Sequence, residues 1–338
     1  MSRDGGASPP TMDDVATAAG VSRALVSLVF RASPKVSDER RARVLEAAKT
    51  LGYRPNASAR NLASRSSGTI GVLLNDLHNP FFAEIFDGVA DAAEANGYRL
   101  LLTTSRRRDA GEDRAVETML EHRVDGMVLL SPRLSSGRLI ALGELGPVVV
   151  LGRSVPRASF DAVMADESIG SLLAIEHLAS LGHRHIVHID GGRGAGAGPR
   201  RAGYRRAIAQ LGLAPPDVVT GDFTEASGVK AAELLLRRTE LPTAIFAAND
   251  LVAAGAMATL EDAGVRVPDD VSIIGYDNTL IARLQHVALT TIDQPRAEMG
   301  AHALSVLVER IERRRTKPQV LLATPTLVVR RTTAVARS

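Results

Sequence analysis

Apolar residues recur at helical spacing in three short runs between Thr11 and Leu51. Val15, Ala16 and Ala19 share one face of a helix predicted over Met12–Ala19. Thr11 can cap that helix, and Asp13 and Asp14 sit in its positive first turn. Gly20 follows as a tight turn that tolerates positive φ, with Val21 beneath it. Ser22 can cap a second helix whose Leu25, Val26 and Val29 face inward. A third, capped by Ser37, runs to Leu51, with Val44, Ala48 and Leu51 expected to close a small core. The first two form a helix-turn-helix pattern.

In the second helix Arg23, Ser27 and Arg31 fall at i, i+4 and i+8, on a stripe facing away from the core, with Ala24 and Leu28 beside it. Such a stripe suits a major groove. An ordinary helical hairpin has the same local pattern.

From Gly68 onward, short apolar runs alternate with amphipathic stretches. Strands are predicted at Thr69–Leu74, Arg99–Thr103, Gly126–Leu130, Val148–Leu151, Ala162–Ala165, His185–Ile189, Ala244–Ala247 and Val271–Gly275, with later crossings near Thr291–Asp293 and Leu322–Thr324. Continuous Val/Ile/Leu runs of this length fit strands buried on both faces of a parallel sheet. Two doubly wound subdomains are expected, the first ending near Ala165. Ligands of such folds sit beyond the carboxyl ends of the strands. Polar residues that follow predicted strands are therefore the candidates: Asn79, with Phe81 and Phe82 beside it, then Ser131, Arg153, Asp166, Asn249-Asp250 and Asp277, and Arg200 at the start of a helix. Asn79 and Asp250 serve equally well as helix N-caps, and Asp166 as a turn residue.

Charge sharpens the picture. Net charge is +3 over 338 residues, but residues 1–67 carry 11 Lys and Arg against 6 Asp and Glu, a net +5, while the remainder carries −2. A basic head on a near-neutral body points to a nucleic-acid-binding module. The chain has no cysteine, which excludes disulfides, zinc thiolate sites and cysteine nucleophiles. The first ten residues lack an apolar leader and no uncharged apolar run reaches membrane-spanning length, so a cytoplasmic protein without membrane contact is expected.

The segment "YRPNASARNLA" is too short to hold a helix alone, and Ser64, Ser66, Ser67 and Gly68 follow it. Together with "DVATAAGVSRALVSLVF", "NPFFAEIFDGVADAAEANGY", "VDGMVLLSP", "EHLASLGHRHI", "AANDLVAAGAMATLEDAGVRVPDDVSIIGYD" and "LTTIDQP", it resembles the LacI/GalR family of bacterial transcriptional regulators, from about Thr11 to Ala334. The resemblance implies an α/β chain. A three-helix helix-turn-helix head (1–54) and a hinge helix with linker (55–67) precede two doubly wound parallel-sheet subdomains of periplasmic-binding-protein type (68–338). The first subdomain spans about 68–165 plus 294–322, the second about 166–293 plus 323–338.

The resemblance also implies contacts. Ser22, Arg23, Ala24, Ser27, Leu28 and Arg31 would meet the major groove. Asn56, Ala59, Arg60 and Leu62 would meet the minor groove, with Leu62 wedged between base steps. The family often has Arg where Leu28 stands and usually Asn where Arg31 stands, so a different operator sequence is expected. Arg200, Asn249 and Asp277 would hydrogen-bond a small effector, and Phe81 or Phe82 would cover it. The expected effector is a monosaccharide or small glycoside, with a purine as the alternative.

Other chemistry is absent. "GGRGAGAGPRR" is Gly-rich but holds no dinucleotide or P-loop motif. His183, His185 and His188 lie close together, yet Gly182-His183 matches a family turn, and neither a metal nor another cofactor is expected. No catalytic constellation supports an enzyme. The reading is a repressor that binds an inverted-repeat operator in double-stranded DNA as a homodimer. The chain ends soon after Arg330-Arg331 without a heptad tail, which favours a dimer over a tetramer. A two-lobed receptor or a sugar-modifying enzyme is the rival.

Overall fold

The computed structural model describes residues 10–30, 33–53, 66–156 and 158–337, apart from the side chain of Asp109. The chain divides into two compact units, Met1–Ser67 and Gly68–Ser338.

In the smaller unit α1 (Met12–Ala19), α2 (Arg23–Phe30) and α3 (Asp38–Leu51) enclose a core of Val15, Ala16, Val26, Val29, Val36, Val44 and Ala48. Thr11 and Asp14 cap α1 reciprocally: the Asp14 N–H donates to the Thr11 hydroxyl at 3.3 Å and the Thr11 N–H donates to the Asp14 carboxylate at 2.8 Å. Gly20 takes the left-handed conformation (φ 61°) that ends the helix. The Ser22 hydroxyl accepts from the Leu25 N–H at 3.3 Å. Two expectations for α3 fail. Ser37 stands at its N-cap but makes no side-chain cap bond. Leu51 is 38% exposed, because the core closes instead over Val36 and half-buried Tyr53, whose ring meets Phe30 at 5.6 Å.

The larger unit holds two six-stranded sheets. The first, ordered β11-β5-β4-β3-β1-β2, is wholly parallel. It comprises β1 (Thr69–Leu74), β2 (Arg99–Thr104), β3 (Gly126–Leu130), β4 (Val148–Leu151), β5 (Asp161–Ala165) and β11 (Val320–Ala323). The second, ordered β12-β10-β9-β8-β6-β7, is parallel except for the β10–β12 pair. Its strands are β6 (Ile186–Ile189), β7 (Asp217–Val219), β8 (Ala244–Ala247), β9 (Ser272–Asp277), β10 (Thr290–Asp293) and β12 (Thr326–Val328). The chain thus builds one sheet, builds the other, and returns one strand to each. β7 and β12 had no sequence expectation. Both are three-residue edge strands, too short for a periodic signal.

Apolar side chains cover both faces of each sheet, as parallel strands joined by crossover helices require. The helices are α4 (Pro80–Ala95), α5 (Asp109–Glu121) and α6 (Ser136–Leu145) around the first sheet, and α7 (Glu167–Ser180), α8 (Ala197–Gln210), α9 (Glu225–Leu236), α10 (Asp250–Asp262) and α11 (Leu280–Arg283) around the second. The last, α12 (Arg296–Ile311), packs on α4. Among the described residues no helix is long and apolar enough to cross a membrane.

The α4–α12 contact depends on two glycines. A Cβ on Gly88 would overlap the Ala297 carbonyl, and one on Gly300 would overlap the Ile85 carbonyl. Gly88→Ala should therefore lower stability by about 1–3 kcal/mol through overpacking, despite the better helix propensity of alanine. Gly137→Ala, at an exposed position of α6 with open space around it, should be neutral or stabilising. Denaturant midpoints of the two variants measure this; equal midpoints would show that the helices separate at no cost.

Candidate functional site

The carboxyl ends of both parallel sheets open onto one cavity of about 690 Å³. Strand direction alone brings these loops together: Asn75-Asp76 after β1, Ser131 after β3, Gly152 after β4, Asp166 after β5, Gly191–Gly196 after β6, Asp222-Phe223 after β7, Asp277 ending β9 and Gln294 after β10.

The wall from the first sheet is largely apolar. Phe81 and Phe82 open α4 and meet edge to face at 5.3 Å. Both line the cavity, with Leu151, Met164 and Met299. Asn79 lines it too, and its Oδ1 caps α4 by accepting from the Phe81 N–H at 3.0 Å. Here the two readings of Asn79 coincide. Ser131 adopts φ 49°, its hydroxyl lies 2.8 Å from the point a Cβ on Gly152 would occupy, and Gly152 itself sits at φ 78°, a conformation that favours glycine. Arg153 departs from expectation and is not among the cavity-lining residues. Gly152 turns the chain (φ 78°), and the Arg153 guanidinium instead donates to the Leu134 carbonyl at 2.7 Å and the Ser136 hydroxyl at 2.9 Å. Those contacts satisfy loop acceptors that the cleft does not offer.

The wall from the second sheet is built on buried charge. Arg200 is 3% exposed. Its Nε and Nη2 donate to the two Glu167 carboxylate oxygens at 2.8 and 3.0 Å, and its Nη1 donates to the Ala248 carbonyl. The guanidinium lies 3.5 Å over the Tyr276 ring and 5.7 Å from that of Phe223. Burial is the largest single influence and opposes its charge, but Glu167, Tyr276 and Asp277 together outweigh it and hold Arg200 protonated above its ordinary range. Asp166 caps α7, its Oδ1 accepting from the Ser168 and Ile169 N–H groups at 3.0 Å each, and it lines the cavity as well.

Asp277 is 5% exposed, on strained backbone (φ 104°), and its Oδ1 accepts from Gln294 Nε2 at 2.6 Å. Burial raises its carboxyl well above the usual carboxylate range. Asp250 stands behind it, outside the cavity lining. Its oxygens accept from the Thr279 N–H at 2.7 Å, the Thr279 hydroxyl at 2.9 Å and the Thr291 hydroxyl at 2.6 Å. These bonds tie the segment after β9 to β10. Burial pushes the Asp250 carboxyl up to about 6.

Asn249 also departs from expectation. It is 1% exposed and does not line the cavity. Its Oδ1 caps α10 through the Val252 N–H at 3.0 Å, and its Nδ2 donates to the Phe223 carbonyl at 3.2 Å. Its effect on the cleft is indirect, through the backbone that presents the Phe223 ring. Phe223, Glu167, Arg107 and Gln294 all line the cavity without having been candidates. Phe223 follows the edge strand that sequence periodicity missed, and Glu167 reads as an ordinary acidic first-turn residue. Arg107 spans the two lobes, donating to the Asp222 carbonyl at 2.7 Å and pairing with Asp76 at 3.6 Å.

The three neighbouring histidines do not converge. His183 contacts the Thr243 hydroxyl at 3.0 Å and the Ala334 carbonyl at 3.0 Å, His185 contacts Asp217 at 3.1 Å, and His188 contacts the Phe246 carbonyl at 2.9 Å. Among the described residues no group of three or more His, Asp or Glu is arranged to hold a metal ion.

In the smaller unit Ser22, Arg23 and Ala24 are exposed at the start of α2, and Ser27 is half-buried. Arg23 forms an exposed ion pair with Asp13 at 3.6 Å. Leu28 is half-buried against the head core, three residues on from Leu25 on the same helical face. That packing differs from the groove-facing placement expected for it. Arg31, Asn56, Ala59, Arg60 and Leu62 lie outside the described residues.

Comparison with known proteins agrees with both units. Residues 11–56 match the model of bacterial regulatory proteins of the lacI family, and residues 175–333 match a periplasmic binding protein-like domain. The HTH-type transcriptional repressor PurR of Erwinia tasmaniensis is 36% identical over 331 residues, covering 96% of this chain and 97% of that protein. The ribose operon repressor of Haemophilus influenzae is 35% identical, covering 95% and 97%. A crystal structure of the lac repressor dimer bound to operator and the anti-inducer ONPF is 30% identical, with a TM-score of 0.86, covering 96% of this chain and 99% of that one. With a matching DNA-reading head, a matching two-lobed body and relatives aligned over almost their whole length, the chain belongs to the lacI family of bacterial regulatory proteins and is a DNA-binding transcriptional regulator.

Proposed function

We propose that this regulator is a repressor that binds an inverted-repeat operator as a homodimer, and that a small hydroxylated effector in the cleft controls it. The observation that carries the effector reading is the pairing, across one cavity, of an apolar Phe81-Phe82 wall with a buried polar wall of Arg200, Glu167 and Asp277. An apolar face opposed to fixed donors and acceptors suits a ring that carries hydroxyls. Solved relatives support that chemistry: one is a CelR–cellobiose complex at 33% identity, and another from Enterococcus faecium holds ribose at 27% identity. The reading includes no catalytic step. Arg200 and Asp277 are proposed to touch the effector directly, with Asn79, Ser131 and Asp166 at the rim. The exposed start of α2 is proposed to read the major groove through Arg23.

Operator titrations with and without D-ribose, D-glucose, cellobiose and hypoxanthine test the reading as a whole. At least one should shift operator affinity, and saturable binding that leaves operator affinity unchanged would overturn the regulatory role. Arg23→Ala should cost about 1–3 kcal/mol on the operator and little on a scrambled site at the same salt concentration. Equal losses on both would assign Arg23 to phosphate contact.

Asp277→Ala should weaken the active effector by roughly 1.5–3 kcal/mol, while operator affinity without effector stays near wild type. Calorimetry with whichever of the four molecules is active, run beside an effector-free operator titration, separates a contact role from a structural one.

A further inference from the structure

Helix α8 is preceded by Gly196 as its N-cap residue, in the left-handed conformation (φ 82°) and with no side-chain cap. The Ala197 N–H donates to the Gly194 carbonyl at 3.2 Å and Pro199 has no N–H, so what favours an anion here is chiefly the positive dipole end of this 14-residue helix, whose Gly196 and Pro199 line the cavity. One turn in, Arg200 adds a full positive charge with its side chain 4% exposed. The corner is already filled. Both Glu167 oxygens engage the Arg200 guanidinium, and Oε1 lies 3.0 Å from the point a Cβ on Gly196 would occupy. Glycine at 196 therefore lets a carboxylate from another helix approach the start of α8.

We propose that Glu167 sets the charge selectivity of the cleft: as a resident carboxylate in the corner formed by Arg200 and the first turn of α8, it admits neutral hydroxylated molecules and rejects anionic ones. The inference rests on the cleft being the effector site and names its ligand class.

The physical ground is the cost of burying like charges. An anionic ligand would either place its charge beside that of Glu167 or displace Glu167 from Arg200, leaving a carboxylate with a side chain only 15% exposed without its partner. A hydroxyl meets neither penalty. It can donate to Glu167 and accept from Arg200, which uses three of a guanidinium's five N–H groups within the chain. Arg107, also on the cavity wall, is likewise held by carboxylates, Asp76 at 3.6 Å and Asp222 at 3.3 Å.

The test uses inorganic phosphate as the anion probe on the full-length protein, titrated calorimetrically at constant ionic strength. Wild type and Glu167→Asp, which keeps the charge, should bind weakly or not at all. Glu167→Gln, which keeps an acceptor for Arg200 but removes the charge, should gain at least tenfold in phosphate affinity. The double variant Glu167→Gln, Arg200→Gln should lose that gain. Unchanged affinity in Glu167→Gln, equal binding by wild type, or a gain that survives in the double variant would overturn the proposal. Should Glu167→Gln melt too low to titrate, Glu167→Asn carries the same measurement. No DNA is present, so failure here counts against Glu167 alone, whereas failure of the effector reading appears in the operator titrations.

Discussion

A guanidinium placed almost wholly out of water dominates the cleft. Arg200 can remain there only if its charge is matched and its donors are met, because an unpaired buried charge costs several kcal/mol. Glu167 supplies the charge, the Ala248 carbonyl accepts a further bond, and the Tyr276 ring lies against its face. These partners come from α7, the end of β8 and β9. The pairing therefore locks three elements of the second sheet around one point of the cavity wall.

On the same side, Asp277 and Asp250 bring two further carboxylates out of water. Their satisfaction differs. Asp250 accepts from two threonine hydroxyls and a backbone N–H and braces the segment after β9. Asp277 takes one bond, from Gln294, on backbone held at φ 104°. Backbone strain of this kind persists where surrounding structure imposes it, and often where a ligand is received. Gln294 lies two residues before Arg296, which donates to Glu84 of α4 at 2.9 Å and to Asp293 at 3.0 Å. The floor of the cleft is thus bonded into the segment where the chain crosses between sheets and onto the helix that carries Phe81 and Phe82.

The head solves a different problem. Its core is small, so end caps add to burial in fixing the helices. The Thr11–Asp14 box, Gly20 and the Arg43 bond to the Ala19 carbonyl at 2.9 Å define α1 at both ends. This leaves the start of α2 exposed, where Ser22, Arg23 and Ala24 stand clear of the core.

Much was legible from sequence alone, because it depends on local spacing. The alternation of buried strands and amphipathic helices, the Thr11 cap, the Gly20 turn and the convergence of strand ends on one cleft all follow from periodicity and the handed, parallel logic of α/β folds. Strand-end position places Asn79, Ser131, Asp166 and Asp277 on the cavity wall. Arg153 and Asn249 also follow strands but do not line the cavity, since which way a side chain turns after a strand depends on acceptors contributed by distant loops, here Leu134 and Phe223. Short edge strands such as β7 have too few residues for a pattern, so Phe223 behind it was hidden. Glu167 and Arg200 are 33 residues apart, and nothing local marks them as partners. Only tertiary packing, by removing both from water, makes each the other's necessary counter-charge.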